Sequence, residues 1–313
     1  MKRLAAAGAV SSLALATLTL SACGTTDPFS EQSSAPSTAA EAGTVVIGTA
    51  NFPESEIIGQ IWAEALKKEG FNVKVSSGIG SREVYLGALQ VGNINVVPEY
   101  AGNLTQFYGE LPEGADKEGV EKALAGALPS GLEAGEFSPA ESKDAYRVTR
   151  TVADQYGLST IADLDKLDKI TIAAPPEFAE RPAGPKGLTK VYGIDASKIS
   201  VNPISDGGGP LTVQALVEGG ANAANIFTTS PALLNDGKEA DLVTLTDTKN
   251  LIPPQNVLPV TKAGSLPDGA LDVLNKVDAK LTTDDLVEMN RRNVGPERAE
   301  PGQIAKDWVD RKL

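Results

Sequence analysis

From Thr44 onward, short β-branched runs alternate with amphipathic helical runs, and this alternation occurs twice. That restricts the folded part to α/β sheets with helices packed on their faces. The first half opens with a strand at 44–49 and a turn, Ala50-Asn51-Phe52-Pro53-Glu54-Ser55. A helix follows, with Ile57, Ile58, Ile61, Trp62, Ala65 and Leu66 on one face and Gly70 as its stop. Strands at 71–75 and 94–97 flank a second helix through Tyr85, Leu86 and Leu89. The second half repeats the pattern with strands at 169–174, 199–204, 225–227 and 241–246, and helices from 187 and 211. Beyond residue 268 the spacing is helical. Crossings near Tyr146-Arg147-Val148-Thr149-Arg150 and Gln255-Asn256-Val257-Leu258-Pro259-Val260 divide this region. Lobe 1 comprises 44–147 plus 256–313, and lobe 2 comprises 148–255. The expected architecture is two α/β lobes, a two-strand hinge and a ligand cleft between the lobes that closes on its occupant.

The first 43 residues have no such periodicity. Lys2 and Arg3 precede an apolar stretch at 4–20, which is short for a membrane span of roughly 20 residues. Leu20-Ser21-Ala22-Cys23 then resembles the lipobox of bacterial lipoproteins. The expectation is a signal peptide over 1–22 and a lipidated Cys23, two acyl chains being enough for stable anchoring. Residues 23–43 form a flexible linker, since Ser, Thr, Ala, Pro and Glu leave almost nothing to bury. The mature chain is expected on the outer face of the cytoplasmic membrane.

Composition removes whole classes of chemistry. Histidine is absent and Cys23 is the only cysteine, so Ser-His-Asp and Cys-His catalysis, thiolate zinc sites and disulfides are not available to the folded part. No cofactor or metal is expected. Loss of Lys2 and Arg3 with the signal would take the formal charge from −13 to −15, which argues against nucleic acid as a partner.

In open α/β sheets ligands sit beyond the carboxyl ends of the strands. The segments placed there are Asn51-Phe52-Pro53-Glu54-Ser55, Gly78-Ile79-Gly80-Ser81-Arg82, Pro98-Glu99-Tyr100-Ala101-Gly102-Asn103, Pro175-Pro176-Glu177-Phe178, Ser205-Asp206-Gly207-Gly208-Gly209 and Phe227-Thr228-Thr229-Ser230. Taken in order with Ala179-Glu180-Arg181-Pro182, Pro210-Leu211-Thr212-Val213 and Asn256-Val257-Leu258-Pro259-Val260, they resemble the substrate-binding subunits of glycine betaine, carnitine and choline ABC transporters. The likeness spans nearly all of 44–313.

The resemblance implies a periplasmic-binding-protein-like fold, capture of a small quaternary-ammonium osmoprotectant, delivery to an ABC permease, a monomeric state and no enzymatic step. A trimethylammonium group has no hydrogen to donate, so ring faces hold it by cation–π attraction. By resemblance Tyr100 leads the cage candidates, followed by Phe52, Phe178 and Phe227, with Asn51, Ser55, Ser81, Asn103 and Thr228 as polar contacts. Each has an ordinary alternative. Phe227 ends an apolar strand, where core packing is the usual fate, and the Tyr100 hydroxyl can serve a backbone group. The triple glycine Gly207-Gly208-Gly209 lacks the Lys-Ser/Thr of a P-loop and reads as a tight turn at a helix start.

The chain also departs from the family pattern. Phe stands at most cage positions where tyrosines are usual, and Ala101 and Asn103 stand where relatives commonly have Thr. A different small polar or aromatic solute therefore stays open, as does a carboxylate-based enzyme drawing on Glu99, Glu177 and Asp206.

Overall fold

The computed structural model describes residues 43–313 except Glu113 and Asn235. In chain order the first elements are β1 (Thr44–Gly48), α1 (Pro53–Lys68), β2 (Asn72–Ser76), α2 (Arg82–Val91), β3 (Val96–Tyr100), α3 (Ala101–Tyr108), α4 (Lys117–Ala127) and β4 (Leu132–Ala134). The middle contains β5 (Tyr146–Thr149), α5 (Arg150–Tyr156), β6 (Ile170–Ala174), α6 (Pro185–Tyr192), β7 (Ile199–Pro203), α7 (Pro210–Val217), β8 (Ala223–Asn225) and β9 (Leu242–Thr244). The chain then returns through β10 (Val257–Lys262) to α8 (Ala270–Asp278), α9 (Thr283–Val294) and α10 (Pro301–Lys312).

The strands form two five-stranded sheets, ordered β2-β1-β3-β10-β4 and β7-β6-β8-β5-β9. Both are mixed. The first three strands in each order are parallel, as βαβ crossovers require, while β10 runs antiparallel to β3 and β5 antiparallel to β8. The antiparallel strands are the ones that enter each sheet just after the chain changes lobe.

The two crossings lie side by side. One runs between β4 and β5, the other between β9 and β10, and they pair antiparallel at Glu141 and Asn256. Backbone hydrogen bonds from Ser142 N–H to the Gln255 carbonyl (3.1 Å) and from Val257 N–H to the Ala140 carbonyl (3.0 Å) extend that pairing. Tyr146 and Arg147 belong to β5 in the second sheet.

Helix α1 shows how the local sequence sets an element. Pro53 occupies its first turn, Glu54 and Glu56 sit at the positive end of the helix dipole, and Lys67 and Lys68 sit at the negative end. Its apolar face, including Ile57, Ile58, Ile61, Trp62 and Leu66, is buried against the first sheet and the C-terminal helices. Gly70 (φ 88°) then reverses the chain. The second lobe has its own core around Ile161, Leu164, Ile170, Ile172 and Leu188.

Two local expectations shift, and two elements appear that none announced. The strand predicted over 94–97 lies at Val96–Tyr100, so Pro98-Glu99-Tyr100 is sheet and not loop. Pro98 faces Pro259 of β10, which puts the two residues that lack an N–H at one rung of the ladder. The strand predicted over 225–227 lies at Ala223–Asn225, which leaves Phe227 in the loop beyond it. Helix α4, capped by the Asp116 carboxylate accepting from Gly119 N–H, and strand β4 were not legible in the Gly- and Glu-rich stretch that carries them.

Candidate functional site

The loops that follow β1, β6, β7 and β8, the end of β3, and the first crossing converge on a cleft of about 120 Å³. By volume it holds on the order of ten water-sized groups, which suits a small solute. Both lobes line it. Asn51, Phe52, Ser81, Arg82, Tyr85, Tyr100 and Asn103 come from the first lobe; Glu177, Phe178, Arg181, Asn225 and Phe227 from the second; Ser142 and Asp144 lie on the crossing.

Phe52 is the centre of the aromatic group. Its ring centroid lies 6.1 Å from that of Tyr100 and 5.6 Å from that of Phe227, with interplanar angles of 36° and 51°. The Phe52–Phe227 contact crosses the cleft. Beside it Gly207 (φ 63°) approaches Phe52 so closely that a Cβ there would lie 2.9 Å from the Cβ of Phe52. The glycine run thus serves close approach between lobes as well as a turn. Phe178 reaches the cleft from the second lobe and packs edge-on against Tyr146 at 6.0 Å.

Phe227 is only half-buried, so the core role ordinarily expected of it gives way to a place on the cavity wall. Its position is fixed through its carbonyl, which accepts from Arg147 Nη2 at 2.7 Å. Burial holds the Arg147 guanidinium below its ordinary pKa.

Beneath the rings lie two buried carboxylates. Glu99 is fully enclosed and accepts from Arg82 Nε (2.8 Å), Arg82 Nη2 (2.9 Å), the Tyr85 hydroxyl (2.7 Å) and the Tyr100 N–H (2.9 Å). Burial pulls the Arg82 pKa down, but the charge and hydrogen bonds of Glu99 outweigh it and hold the guanidinium above its ordinary range. Burial, with the nearby Glu99 charge, pushes the Tyr85 phenol well up, so it remains a donor.

Glu54 accepts from the Tyr100 hydroxyl (2.7 Å), Thr229 Oγ1 (2.5 Å) and Asn290 Nδ2 (2.6 Å). The Thr229 hydrogen is thereby committed, so the Ser142 hydroxyl is the donor in the 2.7 Å contact between them. This network ties α1, β3, the loop after β8, the first crossing and α9 together. The Tyr100 hydroxyl therefore serves a carboxylate and not the backbone group expected as its alternative partner, while its ring faces the cleft.

Of the polar candidates, Asn51, Ser81 and Asn103 line the cleft and Ser55 and Thr228 do not. Ser55 is buried, with its Oγ accepting from Ala50 N–H at 3.0 Å, and so shapes the turn that carries Phe52. Thr228 Oγ1 accepts from Lys143 N–H at 3.0 Å, holding the loop to the crossing. Ser81 donates to Glu83 Oε2 at 2.7 Å. Asn103 accepts at Oδ1 from Gln255 Nε2 (2.7 Å) and donates through Nδ2 to Asp144 Oδ2 (2.9 Å).

The three carboxylates named for an enzymatic reading do not form a catalytic pair. Glu99 is committed to Arg82 and Tyr85. Asp206 is outside the cleft lining and caps α7, accepting from Leu211 N–H (2.7 Å), Thr212 N–H (3.1 Å) and Thr212 Oγ1 (2.5 Å). Only Glu177 borders the cavity.

Sequence reasoning missed Tyr85, Ser142, Asp144, Arg181 and Asn225 as lining residues. Arg181, just after Pro175-Pro176-Glu177-Phe178, was a legible cation near a strand end. It pairs with Glu83 across the cleft mouth at 2.8 Å and lies 5.8 Å from the Phe107 ring centroid. Tyr85 carried only the helical spacing that it shares with Leu86 and Leu89. Asp144 carried no local signal, since its position depends on how the two crossings pair.

Two α/β lobes, paired crossings and an aromatic-walled cleft between strand ends define a solute-binding protein of the periplasmic-binding class. The family described as OpuAC, the substrate binding domain of the ABC-type glycine betaine transport system, matches residues 43–311, and the chain belongs to it. It is 25% identical to a glycine-betaine-binding protein of Pseudomonas aeruginosa over 285 residues, covering 86% of this chain and 88% of that one. It is likewise 25% identical to the glycine betaine-binding protein YehZ of Escherichia coli over 291 residues, covering 87% and 91%. A solved structure titled as a glycine betaine/carnitine/choline ABC transporter shares the fold, with a TM-score of 0.64, 22% identity and coverage of 85% and 98%. Among the described residues no helix is long and apolar enough to cross a membrane, and no cluster of three or more His, Cys, Asp or Glu is placed to hold a metal.

Proposed function

We propose that this protein captures a small quaternary-ammonium solute of the glycine betaine or choline type outside the cytoplasm and hands it to an ABC permease, remaining chemically inert throughout. The observation that carries the reading is the aromatic wall: Phe52, Tyr85, Tyr100, Phe178 and Phe227 border one small cavity from both lobes. Ring faces satisfy a trimethylammonium, which offers no hydrogen bond, at about 0.5–2 kcal/mol per ring. Closure of the lobes brings Phe52 and Phe227 together and removes the cation from water, which strengthens the attraction. Attachment through a lipidated Cys23 and a monomeric state belong to the same proposal, and the signal peptide, Cys23 and the linker lie outside the described residues, apart from Gly43.

Calorimetric titration of ligand-free protein with choline, glycine betaine, carnitine and proline betaine tests the reading. Saturable one-to-one heat with at least one of them is expected. Absence of heat with all four overturns the quaternary-ammonium assignment and leaves a different small polar or aromatic solute as the occupant.

A further inference from the structure

The charged groups of the cleft do not balance. Two cations border it, Arg82 and Arg181, and each is already paired: Arg82 bidentate with Glu99, and Arg181 with Glu83. Asp144 and Glu177 also border it, so the lining holds two guanidiniums whose charges are already met by Glu99 and Glu83 and two carboxylates with no such partner among the described residues.

Asp144 is the more confined of the two unpaired acids that border the cavity. It is 8% exposed and has no salt-bridge partner among the described residues. Its hydrogen bonds come from two neutral amides, Asn103 Nδ2 to Oδ2 (2.9 Å) and Asn225 Nδ2 to Oδ1 (3.0 Å), one from each lobe. Because Asn103 Oδ1 is committed to Gln255 Nε2, the Asn103 amide has to present its NH₂ to Asp144. A carboxylate has about four lone-pair sites, so two acceptor positions remain on an oxygen pair that borders the cavity. The Arg82 charge reaches Asp144 only at a distance, because both of its hydrogen bonds go to Glu99.

From this geometry we infer that Asp144 is the counter-charge for the solute's cationic head, and that the cleft selects solutes of net positive charge, amino alcohols of the choline type, over zwitterionic betaines with the same head. The inference rests on the quaternary-ammonium reading above and names the class within it. A trimethylammonium beside Asp144 supplies the missing positive charge without asking for a donor. A betaine brings its own carboxylate into a cleft whose two guanidiniums are already engaged, and adds like charge beside Asp144. A hydroxyl tail adds no charge and can donate to a free carboxylate lone pair. Asp144 also receives one amide from each lobe, so a cation at this point sits where closure is tied together.

The test is calorimetry on the full mature chain with choline and with glycine betaine, for the native protein and for Asp144→Asn. The native protein is expected to bind choline at least tenfold more tightly. Asp144→Asn is expected to weaken choline at least tenfold and to change glycine betaine less than threefold, so the preference narrows or inverts. Glycine betaine bound as tightly as choline by the native protein overturns the inference. So does an equal loss for both solutes in the variant, which would mark Asp144 as structural only. If Asp144→Asn does not fold, the native protein still decides: choline affinity is expected to fall more steeply than betaine affinity between low and high salt, and parallel slopes overturn the inference. Heat with neither solute refutes the quaternary-ammonium reading itself, and this inference with it.

Discussion

The first-lobe floor of the cleft and the crossing beside it each hold a buried carboxylate, but the two are built for different purposes. Glu99, on the floor, receives four hydrogen bonds, two of them from a guanidinium. Asp144, on the crossing, receives two, both from neutral amides. A carboxylate whose lone pairs and charge are both satisfied by the protein is scaffold. One with spare acceptors, no ionic partner and a cavity beside it is poised for a ligand. Acidic residues at the strand ends cannot be sorted into these roles by position alone; the donors around them decide.

A buried carboxylate away from the cleft sets the scale for the comparison. Asp278, fully enclosed between helices, has one donor, Trp62 Nε1 at 2.7 Å, and its other oxygen has no partner. Burial pushes its pKa up to about 8, from an ordinary value of 3.8. Below about pH 4 the group is protonated folded and unfolded alike, and its contribution is fully present. As pH rises the unfolded chain ionises first, so stability is lost progressively until the folded carboxyl ionises near pH 8. The loss accumulates to on the order of 5 kcal/mol across that window. Urea unfolding at several pH values is expected to show this slope, and Asp278→Asn to flatten it; an unchanged slope would detach Asp278 from the pH response.

Glu99→Gln is expected to cost about 3–5 kcal/mol of stability, because it leaves the Arg82 charge buried without its partner. Unfolding midpoints measure this, and a cost near that of an ordinary surface change would erase the distinction between the floor and the crossing. Smaller effects belong to the cavity wall. Phe52→Leu keeps apolar bulk but removes the ring between Tyr100 and Phe227, so affinity for the preferred ammonium solute is expected to fall about 2- to 30-fold by calorimetry. Thr228→Val sits at the bottom of the scale. Its hydroxyl serves Lys143 N–H outside the cleft, so binding is expected to stay within about twofold while stability falls by about 1 kcal/mol. A large loss of binding there would place Thr228 with the ligand contacts after all.

Much of the fold was legible because its signals are local. The 3.6-residue spacing of Ile57, Ile58, Ile61, Trp62 and Leu66, closed by Gly70, specifies α1 with no knowledge of its neighbours. The alternation of such helices with β-branched strands specifies two α/β halves, and the strand ends then point to Phe52, Tyr100, Phe178 and Phe227. What was misplaced depends on pairing partners. Pro98 argues against a strand until Pro259 is found opposite it. Phe227 looks like the end of an apolar strand until β8 is seen to stop at Asn225.

From its amino-acid order alone this chain is committed to two α/β lobes, to aromatic rings where strands end and to a folded part without histidine or thiol chemistry. Those properties follow from periodicity and residue type, which act over a turn of helix or a few residues of strand. Long-range packing alone brings Tyr85 to the wall, sets Phe227 and the backbone of Gly207 against Phe52, and pairs Glu99 with a guanidinium while Asp144 receives only amides. Charge compensation and ring contact depend on distances of a few ångströms between residues tens to more than a hundred positions apart. Such distances exist only once the crossings have paired and the lobes have met.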